Sequence, residues 1–145
     1  MFITDMSHIH LDEVAAIESE CFPVPWTREA LLKDLETNKH AIYKVAISNN
    51  KLAGYASMWH IVNEGQINNI AVAKNYRRMG VASLLLNSLS ALAIERNMLG
   101  LTLEVRQSNT AAQALYHKHG FGAEGIRKNY YNKPKEDAII MWKYF

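Results

Sequence analysis

A single cysteine, Cys21, stands among 145 residues, so an internal disulfide and a four-thiolate zinc site are both excluded. No apolar run approaches the roughly 20 residues that cross a bilayer. The opening residues Met1-Phe2-Ile3-Thr4-Asp5 lack a basic region backed by an apolar one, which predicts no secretion signal. Neither charge dominates: 16 basic and 14 acidic residues leave a formal +2, too small to argue for nucleic acid from bulk electrostatics. Among six histidines no metal-ligand spacing emerges; His117 and His119 are two apart on an expected helix and point different ways. No metal is expected. Linkers, repeats and low-complexity stretches are missing too. The remainder, 49% hydrophobic and 21% charged, predicts one soluble, cytoplasmic domain over residues 1–145, a monomer without membrane attachment.

Periodicity supplies the elements. Ile9 to Cys21 reads as a helix with Leu11, Val14, Ala15, Ile17, Glu18 and Cys21 on a partly apolar face, ended by Phe22-Pro23-Val24-Pro25-Trp26. Thr27 caps a second helix that runs to about Leu35. Ala41 to Ile47 and Leu52 to Ile61 read as strands around Ser48-Asn49-Asn50-Lys51, and the turn Asn63-Glu64-Gly65 leads into a strand from Gln66 to Val72. A long apolar helix extends from Gly80 to about Asn97. Leu101 to Arg106 alternates at period two, and Asn109 caps a helix, Thr110 to His119, that Gly120 closes. Phe121 to Tyr131 and Asp137 to Phe145 form a hairpin around Asn132-Lys133-Pro134-Lys135. The order β-α-α-β-β-β-α-β-α-β-β predicts an α/β fold with a mixed sheet.

The most informative stretch is Tyr76-Arg77-Arg78-Met79-Gly80-Val81-Ala82, set between a strand and a helix. The first turn of a helix has unpaired N–H groups and the positive end of the helix dipole. Small residues at Gly80 and Ala82 let a phosphate approach that backbone, and Arg77 and Arg78 add charge. A phosphorylated cofactor is expected there.

Arg77-x-x-Gly80-x-Ala82 after a strand resembles the pyrophosphate-binding signature of the GNAT superfamily of N-acetyltransferases. Leu103-Glu104-Val105-Arg106-x-Ser108-Asn109-x-Ala111-Ala112-x-x-Leu115-Tyr116-x-x-x-Gly120-Phe121 resembles one subfamily, the ribosomal-protein-alanine N-acetyltransferases. So do Cys21-Phe22-x-x-Pro25-Trp26, Asn69-Ile70-Ala71-Val72, Ile126-Arg127-x-Asn129-Tyr130-Tyr131 and Glu136-Asp137-Ala138-Ile139-Ile140-Met141. The resemblance spans residues 10 to 142. Ala82 stands where glycine is commoner, and the turn Asn132 to Lys135 is short.

The resemblance implies a mixed, mostly antiparallel seven-stranded sheet flanked by about four helices. It implies acetyl transfer from acetyl-CoA to the α-amine of a protein N-terminus, an alanine on a small-subunit ribosomal protein. Ile70, Ala71 and Val72 would line the acetyl group and pantetheine arm; Arg77, Arg78, Met79, Gly80, Val81, Ala82 and Ser83 would surround the pyrophosphate; Asn109 would touch the arm. Glu104 would be the general base and Tyr116 the general acid, with Trp26, Glu64, Tyr130 and Tyr131 as candidates for the peptide groove. An α-amine, with a pKa near 7.7–8.0, is about a tenth neutral at pH 7, whereas a lysine near 10.4 is under a thousandth neutral. A carboxylate base therefore suits the α-amine better.

Plainer readings stand beside these. Glu104 could be only a solvent-facing partner of Arg106 or Lys118, Tyr116 only core, Arg77 and Arg78 only surface charge, and Asn109 only a helix cap. Trp26, Tyr130 and Tyr131 divide evenly between groove and edge packing, and Glu64 would complement a basic substrate. The cluster Arg127-Lys128-Asn129-Tyr130-Tyr131-x-Lys133-x-Lys135 reads as a solvated hairpin or a rim near ribosomal protein rather than a nucleic-acid site. Competing functions are acetylation of lysine or a small amine, and a CoA-binding regulatory module without turnover.

Overall fold

The chain forms strands β1 (Phe2–Asp5), β2 (Ala41–Ser48), β3 (Lys51–Ile61), β4 (Glu64–Val72), β5 (Gly100–Arg106), β6 (Gly122–Asn132) and β7 (Lys135–Tyr144). Its helices are α1 (Leu11–Cys21), α2 (Arg28–Thr37), α3 (Val81–Glu95) and α4 (Thr110–Lys118), and the computed structural model describes all 145 residues. The strands lie in one sheet, β1-β2-β3-β4-β5-β7-β6, in which only the β4–β5 pair is parallel. This is the mixed, mostly antiparallel seven-stranded sheet expected.

Local chemistry sets the element ends. The Thr27 hydroxyl accepts the Ala30 N–H at 3.1 Å, and the Asn109 amide oxygen accepts that of Ala112 at the same distance. Gly120, at φ +93°, lets the chain leave α4. Boundaries differ from expectation by one or two residues, as at Leu11, where α1 begins, and Lys135, where β7 begins; one such shift bears on the site. The tight turn is Val62–Asn63, and Glu64 already pairs with Ile61 and Gly100, because β3 and β4 remain paired right up to the turn.

Two cores cover the two faces of the sheet. On one, Leu85, Leu86 and Leu89 of α3 pack on Leu101, Leu103 and Val105 of β5, with Leu115 and Tyr116 of α4 and Phe121 alongside. On the other, Leu11, Val14 and Ile17 of α1 and Leu31 of α2 pack on Tyr43, Val45, Tyr55 and Ala71. Each fully buried Leu contributes about 1.5–3 kcal/mol, so the helices are fixed by packing more than by propensity.

Two irregularities open the sheet at its centre. Pairing of β4 with β5 covers only Glu64, Gly65 and Gln66 against Gly100, Leu101 and Thr102. Past that point the strands run on to Val72 and Arg106 without pairing. The cause lies on the other edge of β4, where Ser57 faces Asn69 but Met58 faces Ile67, leaving Asn68 as an inserted residue. A bulge of this kind bends the strand that carries it. Gly54 completes the arrangement. A Cβ there would stand 2.7 Å from the Ala71 carbonyl oxygen and 3.0 Å from Val81 Cγ1. Its absence brings the start of α3 down onto the end of β4.

Candidate active site

The start of α3 is an open cradle of N–H groups. Arg78 and Gly80 both take left-handed backbone, φ +63° and +79°, which curls the chain into the helix. Nothing stands within 4 Å of where a Gly80 Cβ would be, so glycine is required here by conformation while the space above the turn is free. Leu84 is the first residue whose N–H finds a helical acceptor, the Gly80 carbonyl at 3.1 Å. The N–H groups of Val81, Ala82 and Ser83 precede it, no side chain caps them, and no acid sits in the first turn. Arg78 and Met79 are exposed beside the cradle. Arg77 turns away: its Nε lies 3.4 Å from the Val72 carbonyl and its guanidinium 3.6 Å from Cys21 Sγ.

The cleft between β4 and β5 leads from this cradle into the sheet. Ala73 donates its N–H to the Ala53 carbonyl at 2.8 Å. By strand alternation Ala71 faces β3 in the same way, while Ile70 and Val72 turn their N–H groups to the unpaired, β5-facing edge. An extended ligand with a carbonyl and amides fits that edge, and a phosphorylated end fits the cradle.

Glu104 and Tyr116 reach the cleft from opposite sides. Leu103 and Val105 face the α3 and α4 core, so period-two alternation sends Glu104 to the α1 and α2 side. Its Oε1 accepts a 3.2 Å hydrogen bond from Arg127 Nε on β6. The plainer reading of Glu104 pairs it with Arg106 or Lys118; Arg106 instead binds Glu136 and the Lys133 and Pro134 carbonyls, holding the hairpin tip to β5. The Tyr116 ring packs edge-on against Phe121 at 5.9 Å, and burial pushes its phenol up to about 12. No buried side-chain polar atom lacks a partner, and the Tyr116 hydroxyl has none in the protein, so that hydroxyl opens on solvent.

Tyr131 joins the two. Burial first, then the charges of Tyr130, Glu104 and Tyr116, raise its phenol to about 12 against the opposing pull of Arg106. The Arg106 guanidinium lies 4.1 Å over its ring. A second bulge re-aims this pair: from Arg127 to Tyr131 four steps along β6 span two along β7, Ala138 to Glu136. The Asn129 N–H holds the bulge on Asp137 at 2.8 Å. Tyr130 packs edge-on against Tyr131 and remains 50% exposed.

A buried carboxylate that sequence reasoning placed only on a helix face sits under the cleft. Glu18, 1% exposed, accepts hydrogen bonds from the Tyr55 hydroxyl, the Trp26 N–H at 3.1 Å and the Asn69 amide at 3.1 Å. One side chain thus joins α1, the loop into α2, β3 and the bulged part of β4. Trp26 packs its ring on the α1 and α2 core. Burial raises the Glu18 carboxyl above its ordinary value of 4.5, outweighing the three hydrogen bonds. Its stabilisation is therefore full below 4.5 and declines as pH rises through the raised folded value. Glu18→Gln, which puts an amide donor among three donors, should cost about 1–3 kcal/mol. Urea titrations at several pH values should show that deficit narrowing as pH rises from 4.5.

Of the remaining sequence candidates, Asn109 stands at the α4 cap beside the cleft, its oxygen used by Ala112. Glu64 lies at the paired end of β4, roughly 25 Å along the strand from Val72. The structure does not bring it to Glu104 and Tyr116. The residues missed, Arg127 as the partner of Glu104 and Glu18 as the node, left only a weak trace in sequence: an acid on an otherwise apolar helix side, and an arginine in a basic run.

The sequence profile described as the acetyltransferase (GNAT) family matches residues 11–121. A Bacillus subtilis (strain 168) relative, provisionally named a ribosomal protein bS18-alanine N-acetyltransferase, is 42% identical over 91% of this chain and 87% of its own. A Haemophilus influenzae protein named ribosomal protein bS18-alanine N-acetyltransferase is 34% identical over 96% of this chain and 95% of its own. The crystal structure of the ribosomal-protein-S18-alanine N-acetyltransferase from Escherichia coli superposes with a TM-score of 0.90 at 32% identity, covering 99% of this chain and 92% of that one.

Proposed function

We propose, from the premise that this chain belongs to the acetyltransferase (GNAT) family and is an acetyl-CoA-dependent acetyltransferase, that its substrate is the N-terminal alanine of a small-subunit ribosomal protein. When bound, acetyl-CoA supplies the acetyl thioester. The reading rests on one arrangement in a chain so similar to named alanine N-acetyltransferases: a carboxylate and a phenol, its ring packed in the core and its hydroxyl open, on opposite faces of a cleft with unpaired strand N–H groups. Glu104 takes the proton of the incoming α-amine from the α1 and α2 side, directly or through water, so that the nitrogen forms its bond to the acetyl carbon. The N–H edge at Ile70 and Val72 polarises the acetyl carbonyl. Tyr116 hydrogen-bonds to, and protonates, the departing thiolate from the α3 and α4 side. Val81, Ala82 and Ser83, with Arg78, hold the pyrophosphate, and Asn109 meets the pantetheine arm. Trp26, Tyr130 and Tyr131 flank the peptide. The enzyme works as a cytoplasmic monomer.

Two matched peptides test this. One carries a free N-terminal alanine and a blocked lysine; the other a blocked N-terminus and a free lysine. Mass spectrometry after incubation with acetyl-CoA is expected to find acetyl on the first alone. Modification of the second alone would keep the chemistry and overturn the substrate.

A further inference from the structure

His119 takes part in none of the roles above. It stands at the C-terminal end of α4, and its Nε2 lies 2.9 Å from the hydroxyl oxygen of Ser83 in the first turn of α3. The contact joins the helix that carries Asn109 and Tyr116 to the helix whose free N–H groups form the cradle. The charged groups facing the ring are Lys143 on β7 and Lys118 on α4, both cations. From α3 the ring hydrogen-bonds Ser83, and no acid stands in that helix's first turn. Burial first, then the two lysines, hold His119 below the ordinary imidazole range. Without an anion nearby the ring is neutral at pH 7.

We propose that His119 is a positioning residue of the cofactor seat, which through Ser83 couples phosphate binding at the start of α3 to uptake of a proton by its ring. This rests on the reading of that turn as the pyrophosphate site. A serine hydroxyl has one proton to give. When the ring is neutral with its hydrogen on Nδ1, Ser83 donates to Nε2 and has nothing left for a phosphate. When Nε2 carries hydrogen, the ring donates to Ser83, and the hydroxyl proton is free to reach a phosphate oxygen. A phosphate in the cradle therefore selects the Nε2-protonated forms, and its charge offsets Lys118 and Lys143 and favours the imidazolium. The ring's pKa is higher in the bound state than in the free one. Between the two values binding takes up a proton, and affinity rises as pH falls; well above them affinity is flat.

Calorimetric titration of the full chain with 3′-dephospho-CoA, in buffers of different ionisation enthalpy, reads this without turnover. That ligand keeps the pyrophosphate and lacks the phosphomonoester, a group that itself titrates near pH 6. Wild type is expected to take up a fraction of a proton near pH 6 and to bind about threefold tighter at pH 6 than at pH 7.5. His119→Gln and Ser83→Ala should each bind with little uptake and a flatter pH profile. Equal uptake in His119→Gln, or pH-independent binding by wild type, overturns the coupling. Failure of wild type to bind the ligand at all overturns the pyrophosphate reading as well, so the two failures are distinct.

Discussion

Tyr116→Phe is expected to lower kcat by an order of magnitude or more while the KM for acetyl-CoA stays within about twofold. The substitution removes one oxygen and keeps the ring that packs on Phe121 and the α3 core. Since the hydroxyl has no partner in the protein, its loss leaves no buried group unpaired, and the fold should be unaffected. Magnitudes set the size of the effect. Burial raises the phenol to about 12, so it stays protonated throughout the working range and is always ready to donate. The thiol of the product, by analogy with cysteine near 8.5, is the stronger acid, so proton transfer to its thiolate is uphill. Much of the benefit is then hydrogen bonding to developing negative charge. That argues for the low end of the roughly 10²–10⁴ range of general acid catalysis, or somewhat below it. Steady-state rates of thiol release, with a thermal melt of the same preparation, check this. Unchanged turnover removes Tyr116 from the mechanism.

The larger effect is expected from Glu104→Gln, about a hundredfold loss of kcat/KM at pH 7. Glutamine keeps the shape and an oxygen for the Arg127 hydrogen bond, so what changes is the ability to take a proton. The pH dependence of the loss distinguishes proton transfer from mere binding. With an α-amine pKa near 7.7–8.0, about a tenth of the substrate is neutral at pH 7 and more than nine-tenths at pH 9. The variant's residual rate should climb about tenfold over that interval, following the amine's own ionisation. A base-equipped enzyme has less to gain, so the deficit shrinks at high pH. A deficit that is the same at pH 7 and pH 9 would mean that Glu104 holds the substrate and does not deprotonate it.

These two side chains were legible in the sequence, but their surroundings were not. Glu104 stands out through the strand motif around it, yet its partner is Arg127, 23 positions away across the sheet, which no local spacing marks. The bulge at Asn68 that opens the cleft leaves no mark on the apolar pattern of β4, because it is a matter of how that strand pairs with β3. In the sequence Glu64 suits the groove because it follows a strand. Register put it at the closed end instead.

The sequence by itself determined what short-range physics controls. Helix caps at Thr27 and Asn109, the left-handed exit at Gly120, the glycine at the start of α3 and the strand and helix periods all depend on residues within about four positions of one another. Only the tertiary structure decided which distant groups meet. It brought Asn69 to Glu18 across 51 positions and His119 to Ser83 across 36. It also set Glu104 and Tyr116 on opposite faces of one opening. Such meetings depend on strand register and on how helices pack over the sheet. A one-residue change of register reverses every side chain's face, so they are fixed when the whole core is assembled.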